Sequence, residues 1–184
     1  MKKCMLALLV SAFTAGFLIQ FTTQAFAEPA ENVLAAMQLL KSKAAELGAP
    51  SVNGEEAVAG RNLPALYFGA SKMNNNFTLV DEIQKEVSGT ATIFVKSGDE
   101  FVRVSTNVKK DDGSRAIGTI LDPKGKAIAA IAKGENYFGE ADILGKPYVT
   151  GYEPIRDASN NVIGIYYVGY LKSNGSDLTV GQRP

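Results

Sequence analysis

The sequence predicts an α+β domain in which an antiparallel sheet of about five strands is covered by a long N-terminal helix and short helices. Three observations predict it. Apolar residues between Ala30 and Leu47 recur at mostly three- and four-residue steps, the period of a helix with one buried stripe. From Thr90 the period changes to two in the strand-like segments, the alternation of half-buried strands. Turn-type residues join most of these runs, so that neighbours form hairpins and the sheet is antiparallel.

The chain opens on a targeting pattern. Lys2 and Lys3 precede an apolar run from Met5 to Ile19 and a mostly polar stretch from Gln20 to Gln24. Ala25-Phe26-Ala27 then sets small residues where signal peptidase requires them. The apolar run falls short of the roughly 20 residues that a spanning helix needs. Residues 1–27 are therefore expected to be a signal peptide cleaved after Ala27, with a periplasmic or secreted product. The single cysteine, Cys4, lies in that leader, so disulfides contribute nothing to the domain. Residues 28–172 are expected to form one domain, and the polar stretch 173–184 a flexible tail.

Within the domain, the helix from about residue 29 to 47 carries Ala30, Val33, Leu34, Met37, Leu40, Ala44 and Leu47 on one stripe. Gly48 and Pro50 stop it. Ser51 to Asn62 shows no clear period and reads as a connector. Leu63 to Gly69 is apolar but interrupted, and Asn74 to Asn76 is turn material. A second helix places Phe77, Val80, Ile83 and Val87 on one face and ends at Gly89. Thr90 to Lys96 and Phe101 to Val108 are a hairpin about Ser97 to Glu100. Ser114 to Leu121 is a further strand candidate, and Pro123 opens a short helix that Gly134 closes. Tyr137 to Ile143, Tyr148 to Ile155 and Val162 to Leu171 are the last three strands, the first two joined by a Gly145-Lys146-Pro147 turn.

Several of these segments carry a resemblance. The runs TATIFV from Thr90, FVRVST from Phe101, DGSRAIGT from Asp112, YFG from Tyr137, GKPY from Gly145, YEPIRD from Tyr152 and VIGIYYVG from Val162 resemble, in that order, the Cache domain. The branch is the single-Cache, Cache 3/Cache 2 fusion type, and the resemblance runs from about Leu63 to Leu171. It implies a PAS-like sheet with a ligand pocket between the sheet and the loops over it. It also implies small organic anions or amino acids as ligands, and the sensing part of chemoreceptors and sensor kinases as context. Members generally sit between two membrane helices and precede a signalling module. Here the domain ends near residue 171, so a separate membrane receptor or sensor kinase is the expected recipient of any signal.

The catalytic inventory is sparse. Histidine is absent, removing the commonest general base and metal ligand. The 19 basic and 19 acidic residues balance, with no basic patch to call for nucleic acid. Neither a nucleophile elbow nor a phosphate loop is present. The chain reads as a binder rather than an enzyme, with no metal or organic cofactor. Asp111-Asp112, the most obvious adjacent acidic pair, sits in a turn and reads as solvated.

The binding residues are arginines, tyrosines and hydroxyls. Alternation puts Arg103 on the face of Phe101 and Ser105, where a buried guanidinium demands an anion. Arg115 resembles the family's basic position at the pocket rim, where a guanidinium grips a carboxylate through two parallel bonds. Tyr137, Tyr148 and Tyr152 offer walls and phenol donors, and Ser105 and Thr119 add hydroxyls. Each also has a plain structural reading: projection from the solvent face for Arg103, with its stem across its neighbours, a surface salt bridge for Arg115, and core packing for the rings. The competing account is a partner-binding or dimerisation module, docking through the N-terminal helix, with its pocket filled by side chains.

Overall fold

The computed structural model describes residues 28–172, so the leader and the tail lie outside the described residues. Helix α1 spans Glu28–Leu47 and buries Val33, Ala36, Met37, Leu40 and Ala44. The buried stripe is narrower than the periodicity predicts, because Leu34 and Leu47 face water. Among the described residues, no helix is long and apolar enough to cross a membrane.

The stretch read as a connector is a strand. β1 (Pro50–Val58) pairs antiparallel with β2 (Arg61–Phe68), and β3 (Ser71–Lys72) completes a three-stranded sheet. β1 escapes a period-two reading because most of its side chains, on both faces, are exposed. Its hairpin turn, Ala59-Gly60, has positive φ at both residues, 48° and 79°, as a two-residue hairpin of the favoured twist demands. β2 supplies the apolar side with Leu63, Ala65, Leu66 and Phe68.

Helix α2 (Thr78–Val87) buries Leu79, Val80 and Ile83. The left-handed residue that closes it is Ser88, at φ 55°, rather than Gly89. Gly89 has a different purpose: a Cβ there would sit 2.9 Å from the Tyr170 ring.

The five-stranded sheet has the order β5-β4-β8-β7-β6, with every pair antiparallel. Its strands are β4 (Thr90–Ser97), β5 (Glu100–Thr106), β6 (Tyr137–Ile143), β7 (Lys146–Arg156) and β8 (Val162–Leu171). The turn between β6 and β7 is Leu144-Gly145, both at positive φ, so Lys146 and Pro147 belong to the strand. The segment 114–121, predicted as a strand, is an irregular strap along the outer edge of β5. A single bridge, Val102 with Ile120, joins it to β5, and a second, Lys109 with Arg115, joins it to the loop that follows β5. Gly118, at φ 78°, interrupts any regular ladder.

Coverage is two-sided, where the sequence predicts helices on one face. One face packs against α1, α2 and the small sheet, around Leu40, Leu66, Ile83, Ile93 and Val168. The other carries the strap and α3 (Lys126–Ile131), around Phe94, Ala127, Ile131, Tyr152 and Tyr167. Buried Asn107 ties the two parts together. Its side chain donates to the Val80 carbonyl at 2.6 Å and accepts from the Ala91 N–H at 2.8 Å, satisfying groups that would otherwise be orphaned.

Candidate ligand-binding site

The α3 side of the sheet carries one row of residues in register. Tyr137 on β6 stands opposite Tyr152 on β7, which stands opposite Tyr167 on β8 and then Thr92 on β4. Ring centroids lie 6.1 Å apart for Tyr137–Tyr152 and 5.0 Å for Tyr152–Tyr167, both tilted, as aromatic pairs prefer. Gly139 makes room for this row. The Tyr137 ring lies over it, where a Cβ would meet the hydroxyl at 2.8 Å, and reaches the Glu140 carbonyl at 2.7 Å.

One strand further along, Phe94 faces Arg103 across the β4–β5 pair, and the guanidinium lies 4.9 Å above the Phe94 ring. Arg103 is only 4% exposed. Its Nη1 donates to Thr119 Oγ1 at 2.7 Å, and that hydroxyl donates onward to the Ala116 carbonyl at 2.7 Å. Nε is buried with no partner. Among the described residues, no carboxylate pairs with this cation. Burial pulls its pKa below the ordinary arginine value, but a guanidinium stays protonated at any pH where the fold exists. Burial likewise holds the Tyr152 and Tyr167 hydroxyls protonated beyond the ordinary phenol range, with Arg103 opposing that shift in part.

Arg103, Tyr137 and Tyr152 line a cleft of about 520 Å³. Its far wall is the start of α3, with Leu121, Asp122 and Ala127, and its near wall is β6, with Ala141 and Ile143. The volume suits a small metabolite. Around the mouth, Lys124 and Lys126 stand with Asp122, Glu140 and Asp142, so the rim is mixed in charge and the floor is cationic.

The structure brings together three of the seven residues singled out from sequence and separates the rest. Thr119 stands behind Arg103 and holds its guanidinium rather than lining the cleft. Tyr148 packs, half-buried, into the same aromatic cluster beside the cleft. Ser105 is turned away. The β4–β5 register shifts between Ile93 and Phe94, an irregularity that sends Ser105 to the α2 side, where its hydroxyl donates to the Asn76 carbonyl. Strict alternation cannot foresee that.

Arg115 is also no part of the cleft. It forks onto Asp81 of α2 at 2.7 and 2.8 Å, donates to the Thr106 carbonyl at 2.8 Å, and lies 4.4 Å over the Phe77 ring. The carboxylate that its geometry demands is the protein's own. Arg156 is structural: it donates to the Asn160 and Gly134 carbonyls. Sequence reasoning passed over Ala141 and Ile143, although the same period-two pattern that placed Tyr137 places them on its face.

Among curated proteins none matches the chain. A family model for the Cache 3/Cache 2 fusion domain matches residues 16–179. That match covers most of the sequence and agrees with the helix, the antiparallel sheet and the cleft over its face. The chain belongs to the Cache 3/Cache 2 fusion family, whose members are extracytoplasmic sensory domains that bind ligands.

Proposed function

We propose that this chain is an extracytoplasmic binding domain that captures a small organic anion or amino acid in the cleft over Arg103. One observation carries the reading. A guanidinium 4% exposed, with an orphaned Nε and no ion pair to a carboxylate among the described residues, lines a cleft of about 520 Å³. Left alone, a buried cation with an unmet donor is unfavourable by a few kcal/mol. A ligand carboxylate would supply the countercharge and accept from the guanidinium edge that lines the cleft. Tyr137 and Tyr152 would form the wall against which it lies, Tyr148 would back them, and Thr119 would hold the guanidinium in aim.

Thermal denaturation with a panel of monocarboxylates, dicarboxylates and amino acids tests this. At about 100 times its dissociation constant, a compound that fits adds about 2.7 kcal/mol. For a domain of this size that corresponds to a rise of roughly 5–11 °C in Tm. A panel without a single shift would favour the competing account, a partner-binding module whose cleft takes no metabolite.

Export follows from the leader: Lys2 and Lys3, the apolar run and Ala25-Phe26-Ala27 direct cleavage after Ala27. The exported protein should have the mass of a chain beginning at Glu28. A mass that retains the leader would instead leave the domain tethered to the membrane. In either form, the signal passes to a separate membrane receptor or sensor kinase.

A further inference from the structure

Residues 115–121 are where three parts of the molecule meet. The strap runs along the outer edge of β5. Arg103 N–H donates to the Thr119 carbonyl, Gly118 N–H to the Arg103 carbonyl, and Leu121 N–H to the Phe101 carbonyl, each at 2.9 Å. Because it lies at an edge, its side chains reach both faces of the sheet. Ala116 and Leu121 join the aromatic side, and Ile117 packs on the helix side.

Its polar contacts divide the same way. Thr119 holds Arg103 Nη1 on the cleft side, at 2.7 Å. Four residues earlier, Arg115 is forked onto Asp81 of α2. Between them Gly118 abuts Ala59 in the β1–β2 turn so closely that a Cβ would overlap it, which leaves the strap no slack toward the small sheet. Helix α2 is tied in turn to α1 through Lys43, 2.8 Å from Glu86. The central strands, packed on both faces, have no comparable freedom to pass a displacement across the sheet.

We infer that this strap reports the state of the cleft to the helix layer. An anion settling on the guanidinium re-aims the Nη1 that Thr119 holds. The backbone and side-chain bonds from Arg103 to residues 118 and 119 carry that change to Arg115, and the Arg115–Asp81 fork delivers it to α2. Thr119, Arg115 and Asp81 are thus positioning residues, none of which has to touch the ligand. The inference rests on Arg103 being the anion-binding group. It adds the route by which occupancy reaches α2 and α1.

Coupling of this kind is reciprocal: whatever factor the ligand imposes on α2, a change at α2 imposes on the ligand. The test uses the exported chain, with sodium acetate as probe. D81N should shift the acetate midpoint by about fivefold or more, and acetate should change hydrogen exchange of the residue 78–87 amides by a matching factor. D81N with the wild-type midpoint would overturn the inference while leaving the cleft assignment intact. A ligand-free double-mutant cycle decides the coupling independently. The stability losses of T119V and D81N should fail to add, whereas additive losses would mean that the two sites are independent. Acetate failing to bind the wild-type protein would count against Arg103 as the anion-binding group, and the cycle would still decide whether the strap couples the faces.

Discussion

Arg103→Met is expected to abolish ligand-induced stabilisation while leaving the ligand-free protein more stable than the wild type. The substitution removes a long cation that is 4% exposed and replaces it with a shorter, unbranched apolar chain. Against the wild type stand the desolvation of an uncompensated charge, several kcal/mol, and an orphaned Nε, about 1–3 kcal/mol. In its favour stand a charged bond to Thr119, about 1.5–3 kcal/mol, and a ring contact with Phe94, about 0.5–2 kcal/mol. The first pair outweighs the second, and the methionine sulfur retains part of the contact with Phe94. Thr119 keeps its bond to the Ala116 carbonyl within the strap, and the backbone bonds at Phe101 and Arg103 still hold the strap to β5. The expected result is a gain of about 1 kcal/mol without ligand. The roughly 2.7 kcal/mol that a fitting carboxylate adds at saturation is lost at the same time. Chemical denaturation with and without the compound measures both. A methionine variant that still responds to ligand, or that loses several kcal/mol without it, would make Arg103 a structural residue.

The same contrast shows which parts of this molecule can be read from sequence. β6 coincides with the alternating run Tyr137–Ile143, which has one covered face, and β8 with the near-continuous apolar run Val162–Leu171, which is covered on both. β1 leaves no such trace, since water lies on both sides of most of it. Among the candidate residues, Arg103 and Arg115 look alike in sequence, and their difference is wholly tertiary. Asp81, 34 residues before Arg115, sits on the polar face of α2 at the level of the strap and completes a fork. Arg103 has Phe94 and Thr119 as neighbours and receives no carboxylate. Ser105 was assigned to the wrong side by alternation, a rule that fails at a register shift. Such irregularities depend on how two strands accommodate each other, which neither strand states alone. The cleft's far wall comes from an irregular loop and a six-residue helix, neither with a strong period.

Gly164→Ala should be among the most damaging single-methyl additions in the domain. Gly164 lies on β8, opposite Val95 on one side and Ile155 on the other, so it occupies a position with partners at both flanks. A Cβ there would overlap the Phe94 carbonyl oxygen and press on Ile155 Cδ1, 3.3 Å away. The carbonyl belongs to the backbone of the adjoining strand, so it can retreat only by separating β4 from β8. Gly169, on the same strand, provides the comparison. Its Cβ would crowd the Tyr167 hydroxyl just as closely, but that obstacle is the tip of a side chain. Overpacking a fixed backbone should destabilise G164A by about 3 kcal/mol or more, and G169A by roughly 1 kcal/mol. In Tm these are losses of roughly 6–12 °C and 2–4 °C. G164A should also weaken carboxylate binding, because Phe94 is the residue on which the Arg103 guanidinium rests. Equal losses in the two variants would show that β4 and β8 can part as easily as a tyrosine can tilt.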